Sequence, residues 1–309
     1  MIMAAFRYSS QKIAAGLEGW DRFWFAPTVA ASIGYVRVAI GIFSTIYAAA
    51  WLFDFYHWIQ SEGKLNEPVT RFLIGDQIDG TGSLGRMSLF YFIDSGHFVT
   101  AYLLTTIFIS IIMTAGLGGR WVAIMAWILN LGIVHRVPTL LGSGDLLITG
   151  VMGYLMIDPG KIRNLAKVGL ADSESRISAN IAIRLFQCHV IAWLAISFIS
   201  HLAEPMWWNG SAVWWLAIGD RSPLFTADFL SDKPYLVNAL THGFIVLHLL
   251  LVMALSRGNR GLGIGLAVLF ALSIWGLSGD FLYSFAVIVL TSGFWGNARV
   301  ELDNVVQEF

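Results

Sequence analysis

Residues 236–256 read LVNALTHGFIVLHLLLVMALS. After the break Arg257-Gly258-Asn259-Arg260 come 261–277, GLGIGLAVLFALSIWGL, and then 280–296, DFLYSFAVIVLTSGFWG. Each run approaches the roughly 20 apolar residues that carry a helix across the hydrocarbon core of a bilayer, and each break holds the glycine or charge that ends such a run. These three runs decide the fold class: the chain is expected to be all-α and polytopic.

Working outward, the same pattern occurs at 29–53, 97–116, 120–136, 143–158 and 180–202, giving about eight transmembrane helices and no separate soluble domain. Composition agrees, because 57% of the 309 residues are hydrophobic and only 13% charged. A mean hydropathy of +0.69 is too high for a soluble domain. Trp51, Trp58, Trp121, Trp207, Trp208, Trp214 and Trp295 fall near the ends of apolar runs, where an indole suits the headgroup region. The chain divides into 1–28, a cytoplasmic segment suited to lie on the membrane as an amphipathic helix; 29–296, the membrane domain; and 297–309, a cytoplasmic tail. Residues 1–28 have no uninterrupted apolar region of the signal-peptide kind.

Lysine and arginine orient the spans, since cytoplasmic loops carry the excess. With the N-terminus inside, twelve fall inside, six outside, and Arg37 lies within the first span. Both termini are therefore expected in the cytoplasm, and in a bacterium the protein would sit in the inner membrane. The two long loops, 54–96 and 203–235, then face outward, so a site must be built from helix ends and these loops. A net charge of −1 with no basic stripe excludes a nucleic-acid partner. The single cysteine, Cys188, excludes an internal disulfide and cysteine-based metal sites, and is expected to be a small buried hydrophobe.

Ionisable groups at membrane depth are costly, so each is a functional candidate. Arg37 lies about two turns inside the first span, placed either to snorkel into a structural pairing or to anchor a ligand. His135-Arg136-Val137-Pro138 and Gly142-Ser143-Gly144-Asp145 frame an outer hairpin. Pro138 would stop one helix, and Asp145 would enter the first turn of the next, where the positive end of the dipole stabilises a carboxylate. An Arg136–Asp145 ion pair is expected there, with His135 beside it as a base candidate. At the outer exit of the fifth run, Ser200-His201-Leu202-Ala203-Glu204-Pro205-Met206-Trp207-Trp208-Asn209-Gly210 places His201 and Glu204 three residues apart. They would share a face if the helix continued, giving a base with an orienting carboxylate. His97, His242 and Asp280 start other spans at this level, but no ligand spacing points to a metal.

The order of these motifs resembles a known family. Arg37 with Gly41, Phe55-Tyr56 to Gly63, Arg136-x-Pro138 to Gly144-Asp145, and Trp207-x-x-Gly210 are similar to the horizontally transferred transmembrane domain. That domain is shared by vitamin K-dependent γ-carboxylases and bacterial membrane proteins of the sporulation-delaying protein B type. The resemblance covers roughly 28–296. It implies an outward-facing pocket, a vitamin K or menaquinone-type quinol as cofactor, and a quinol-linked carboxylase-like enzyme. In that frame His201, Glu204 and His135 are the catalytic candidates, and Arg136, Asp145, Trp207 and Arg37 the cofactor-binding ones. His201 stands where the family has a catalytic lysine, and the carboxylases' large lumenal domain is expected to be missing. Both departures set the chain apart from glutamate carboxylation. The sporulation-delaying relatives imply the alternative, a non-catalytic membrane factor for maturation or export of a small peptide.

Overall fold

In the computed structural model, residues 16–29, 31–58, 63–73, 88–91, 93, 95–136, 140, 142–160, 175–218 and 223–294 are described. The first fifteen residues, Pro138, Trp295 and the tail, on which parts of the expectations above rest, lie outside the described residues.

Each of the eight apolar runs becomes a helix. A short helix at 16–25 (α1) precedes α2 (Ala31–Trp58), and α3 (Glu67–Leu73) lies in the first long loop. Then come α4 (Gly96–Ala115), α5 (Gly119–Arg136), α6 (Ser143–Met152), extended by a tighter turn at Gly153–Met156, and α7 (Ile177–Ala203). The second long loop holds three short helices, α8 (Pro205–Trp208), α9 (Ala212–Ala217) and α10 (Ala227–Ser231). Three more helices follow: α11 (Pro234–Ser256), α12 (Arg260–Ser278) and α13 (Phe281–Thr291). The one sheet pairing among the described residues is Thr28–Val29 with Ser175–Arg176.

Five of these helices are long and apolar enough to cross a membrane: Ile33–Phe55 of α2, then α4, α7, α11 and α12. The apolar stretches Gly144–Met156 and Phe281–Phe294 are shorter. At about 1.5 Å of rise per residue each covers roughly 20 Å of a ~30 Å core. The 18-residue α5 carries Arg120 and Arg136 at its two ends.

Turn chemistry fixes where the helices stop. Gly116, Gly118 and Gly119 take φ of 78°, 72° and 57°, a left-handed run that turns α4 into α5 and that side chains with a Cβ adopt only with strain. The Asp280 side chain accepts from the Tyr283 N–H at 2.9 Å and so caps α13.

Inside the bundle α2 packs along α4 so closely that a Cβ on Gly41 would meet the Thr114 hydroxyl. A buried polar clamp adds α5 to the pair. The Ser44 and Ser110 hydroxyls are 2.7 Å apart, and the Asn130 amide donates to Ser44 Oγ at 2.7 Å and to the Ala126 carbonyl at 2.8 Å. With little hydrophobic force between helices in lipid, close approach and such bonds hold them together. On the other side α12 packs against α11 and α13, and α13 against α6, where Gly144 abuts Tyr283 and Ala286.

Cys188 corrects the expectation of a buried side chain, since it is on the exposed face of α7. Where the surroundings are lipid, an apolar run does not distinguish a core-facing position from an outward one.

Candidate functional site

The end of the bundle where α7 and α12 finish and α6, α11 and α13 begin is here termed the upper end. Most of the sequence-derived candidates lie there, but they separate into distinct environments.

Arg37 lies at the opposite end. Its guanidinium donates to the carbonyls of Pro159 and Gly160 at 3.0 and 2.8 Å, and a Cβ on Gly116 would come within 2.6 Å of it. At 3% exposed it ties α2 to the chain leaving α6. Two backbone carbonyls thus accept from its guanidinium, an arrangement of the kind expected for a structural role.

Arg136 is 1% exposed beneath the first long loop. It donates to Thr70 Oγ1 at 2.9 Å and to the Leu65 carbonyl at 3.2 Å, and lies 5.3 Å from the centre of the Tyr91 ring. The Tyr91 hydroxyl in turn donates to the His135 carbonyl at 3.0 Å. Both Arg136 and His135 thus help to anchor Leu65, Thr70 and Tyr91 on α5. The expected Arg136–Asp145 pair is not formed. The Asp145 carboxylate instead accepts from the Gly142 N–H at 2.9 Å, capping its own helix. Closeness in sequence brought the two residues to one end of the bundle, but the start of α6 faces α13 while Arg136 turns toward α3.

Nor is the His201–Glu204 face formed. Glu204 precedes Pro205, whose ring disfavours helical conformation in the residue before it. Glu204 accordingly takes φ −96°, ψ 125°, ends α7 and is exposed to solvent. The chain reverses through α8 and returns Trp207 onto His201, with ring centroids 4.3 Å apart.

His201, Trp207 and Asp145 line one cavity of about 860 Å³ at the upper end. Its floor is aromatic. Phe244 of α11 stacks on Trp207 at 5.5 Å and packs on Phe270 of α12 at 4.9 Å. Its rim is polar, formed by Gly142 and Asp145 at the start of α6 and by Ser278, Gly279 and Asp280 at the corner between α12 and α13. Tyr283 completes the wall, edge-on to Trp193 at 5.4 Å. Among the described residues the ring nitrogens of His201 make no hydrogen bond, and neither Asp145 nor Asp280 makes an ion pair. No group of three His, Cys, Asp or Glu side chains suited to a metal ion occurs among the described residues.

Among the residues that the sequence reading did not single out are Phe244, Phe270 and Tyr283, which line the cavity, and His248 behind it. His248 is fully buried behind His201, with ring centroids 5.4 Å apart, and is enclosed by Phe270 at 4.6 Å and Phe198 at 5.7 Å. A lone histidine at the middle of an apolar run was the signal for it.

The chain matches no family model, no curated protein and no solved structure.

Proposed function

We propose that this chain is an eight-helix membrane protein whose upper end faces outward and whose cavity binds a quinone-type ring, as a quinol-linked enzyme related to the vitamin K-dependent carboxylases would. The observation that carries this reading is the meeting, in one hollow, of an imidazole with no hydrogen bond among the described residues and an aromatic floor, His201 above Trp207 and Phe244. A flat apolar ring with two oxygens needs an apolar slot and a few placed polar groups. Trp207 and Phe244 supply stacking surface, and an imidazole within reach of a quinol hydroxyl can accept its proton. Asp145 at the rim is the second polar group from the sequence-derived set. Glu204, His135 and Arg136 lie at the same end but outside the cavity lining, and Arg37 lies at the opposite end. The outward orientation follows from the excess of Lys and Arg in the segments at the opposite end.

A ligand that binds only the folded state raises stability by RT ln(1 + [L]/Kd), about 2.7 kcal/mol at a hundredfold excess over Kd. Menaquinone analogues are therefore expected to raise the melting temperature of detergent-purified protein, and His201→Ala to reduce the gain. No shift with any quinone would refute the reading.

One observation favours a second reading, the non-catalytic factor for a small peptide. The two rim carboxylates, Asp145 and Asp280, have no cationic partner among the described residues. A basic peptide would supply one. Co-purification of a small secreted peptide, lost in Asp145→Asn with Asp280→Asn, would replace the quinone reading with this one.

A further inference from the structure

Phe244 also lines a second hollow, of about 320 Å³, between α11 and α12. Leu240 and Leu247 of α11 and Leu272 and Leu277 of α12 form its walls, and Leu224 with Phe225, ahead of α10, closes it from above. Two glycines make the space. A Cβ on Gly243 would have nothing within 4 Å, and one on Gly276 would meet Leu224 Cδ1 at 2.7 Å. The hollow opens on the outside of the bundle, where Gly243, Ala239 and Leu272 are exposed.

Its chemistry is hydrocarbon throughout. The one hydroxyl on its wall, that of Ser273, is engaged by the Leu269 carbonyl at 2.8 Å, so nothing in the hollow serves a polar group. The neighbouring cavity has the opposite character at its rim, with two carboxylates and an imidazole. Phe244 lines both spaces. Since α11 and α12 are both long and apolar enough to cross a membrane, an opening between them with leucine walls suits hydrocarbon better than water.

We propose that the hollow holds the hydrocarbon tail of the molecule whose ring occupies the cavity, so that the ligand is an amphipathic lipid lying across Phe244. This rests on the ring-binding reading of the cavity. The tail gains no hydrophobic energy on leaving the bilayer, which is equally apolar; what it gains is close packing against the leucine walls.

The test compares two probes on purified protein, 2-methyl-1,4-naphthoquinone and the same ring carrying a prenyl tail. Gly243→Leu fills the hollow from a position with open space around it. Gly265→Leu is the control, another exposed glycine with nothing within 4 Å, on α12 away from the hollow. Gly243→Leu is expected to weaken the prenylated probe about tenfold, the effect of overpacking an occupied apolar site. It leaves the tail-less probe unchanged, and Gly265→Leu changes neither. If Gly243→Leu binds the prenylated probe as wild type does, the tail lies elsewhere and only bulk lipid fills the hollow, while the cavity reading stands. If wild type binds neither probe, the cavity reading fails and the tail site fails with it.

Discussion

The rings of His201 and Trp207 meet at a centroid distance of 4.3 Å across the break that Pro205 makes at the end of α7. Trp207 is 6% exposed and is the piece of the second long loop that seals the cavity floor. Removing a buried indole leaves a hole as well as lost contacts, so Trp207→Ala is expected to cost about 3 kcal/mol, and Trp207→Phe roughly half of that. Denaturant titration in detergent measures both. A loss below about 1 kcal/mol for Trp207→Ala would show that the loop does not depend on this residue.

Arg136 and Asp145 are expected to act independently. Arg136→Ala removes charged donors from Thr70 and Leu65, costing about 3 kcal/mol, and Asp145→Ala removes the N-terminal bond of α6, costing about 1 kcal/mol. In a double-mutant cycle the two losses should add to within about 0.5 kcal/mol. Coupling well above that value would restore the ion pair that the structure lacks.

Much of the architecture was legible in the sequence because lipid demands unbroken apolar runs, and all eight runs became helices. The site was half legible. His201, Trp207 and Asp145 stood out as polar or aromatic residues at helix ends, and the cavity gathers them. Glu204 was misplaced because the spacing rule for a shared helix face was applied across Pro205. The partners of Arg136 were not legible, because Thr70 and Leu65 lie 66 and 71 residues away, where no local pattern reaches. Phe244 and Tyr283 had no signal at all, since in a helix apolar on every side the inward and lipid-facing positions carry the same residue types.

The closeness of α2 and α4 predicts that Gly41 tolerates no side chain. Gly41→Ala would press its methyl into Thr114, and overpacking of this kind costs about 1–3 kcal/mol. Thr114→Ala, which removes the opposing hydroxyl, should recover part of the loss when combined with it. Unchanged melting of Gly41→Ala alone would mean that the helices separate more easily than their packing indicates.

Orientation is open to direct labelling. With Cys188 removed, single cysteines at Lys64 and Asp228, both exposed at the upper end, should react with a membrane-impermeant maleimide in intact cells. One at Ser256, at the opposite end of α11, should react only after lysis. The reverse pattern would turn the protein over and place the cavity on the cytoplasmic side.

The most direct test is photolabelling of the purified protein with an azido-substituted naphthoquinone, followed by peptide mapping. A ring bound above Trp207 predicts labels within 142–145, 197–216 and 270–283 or at Phe244, the segments of α6, α7 to α9, α11 and α12 to α13 that line the cavity, with labelling lost to competing menaquinone and reduced in His201→Ala. Labels confined to other segments, or labelling that unlabelled quinone does not displace, would contradict a quinone-binding cavity.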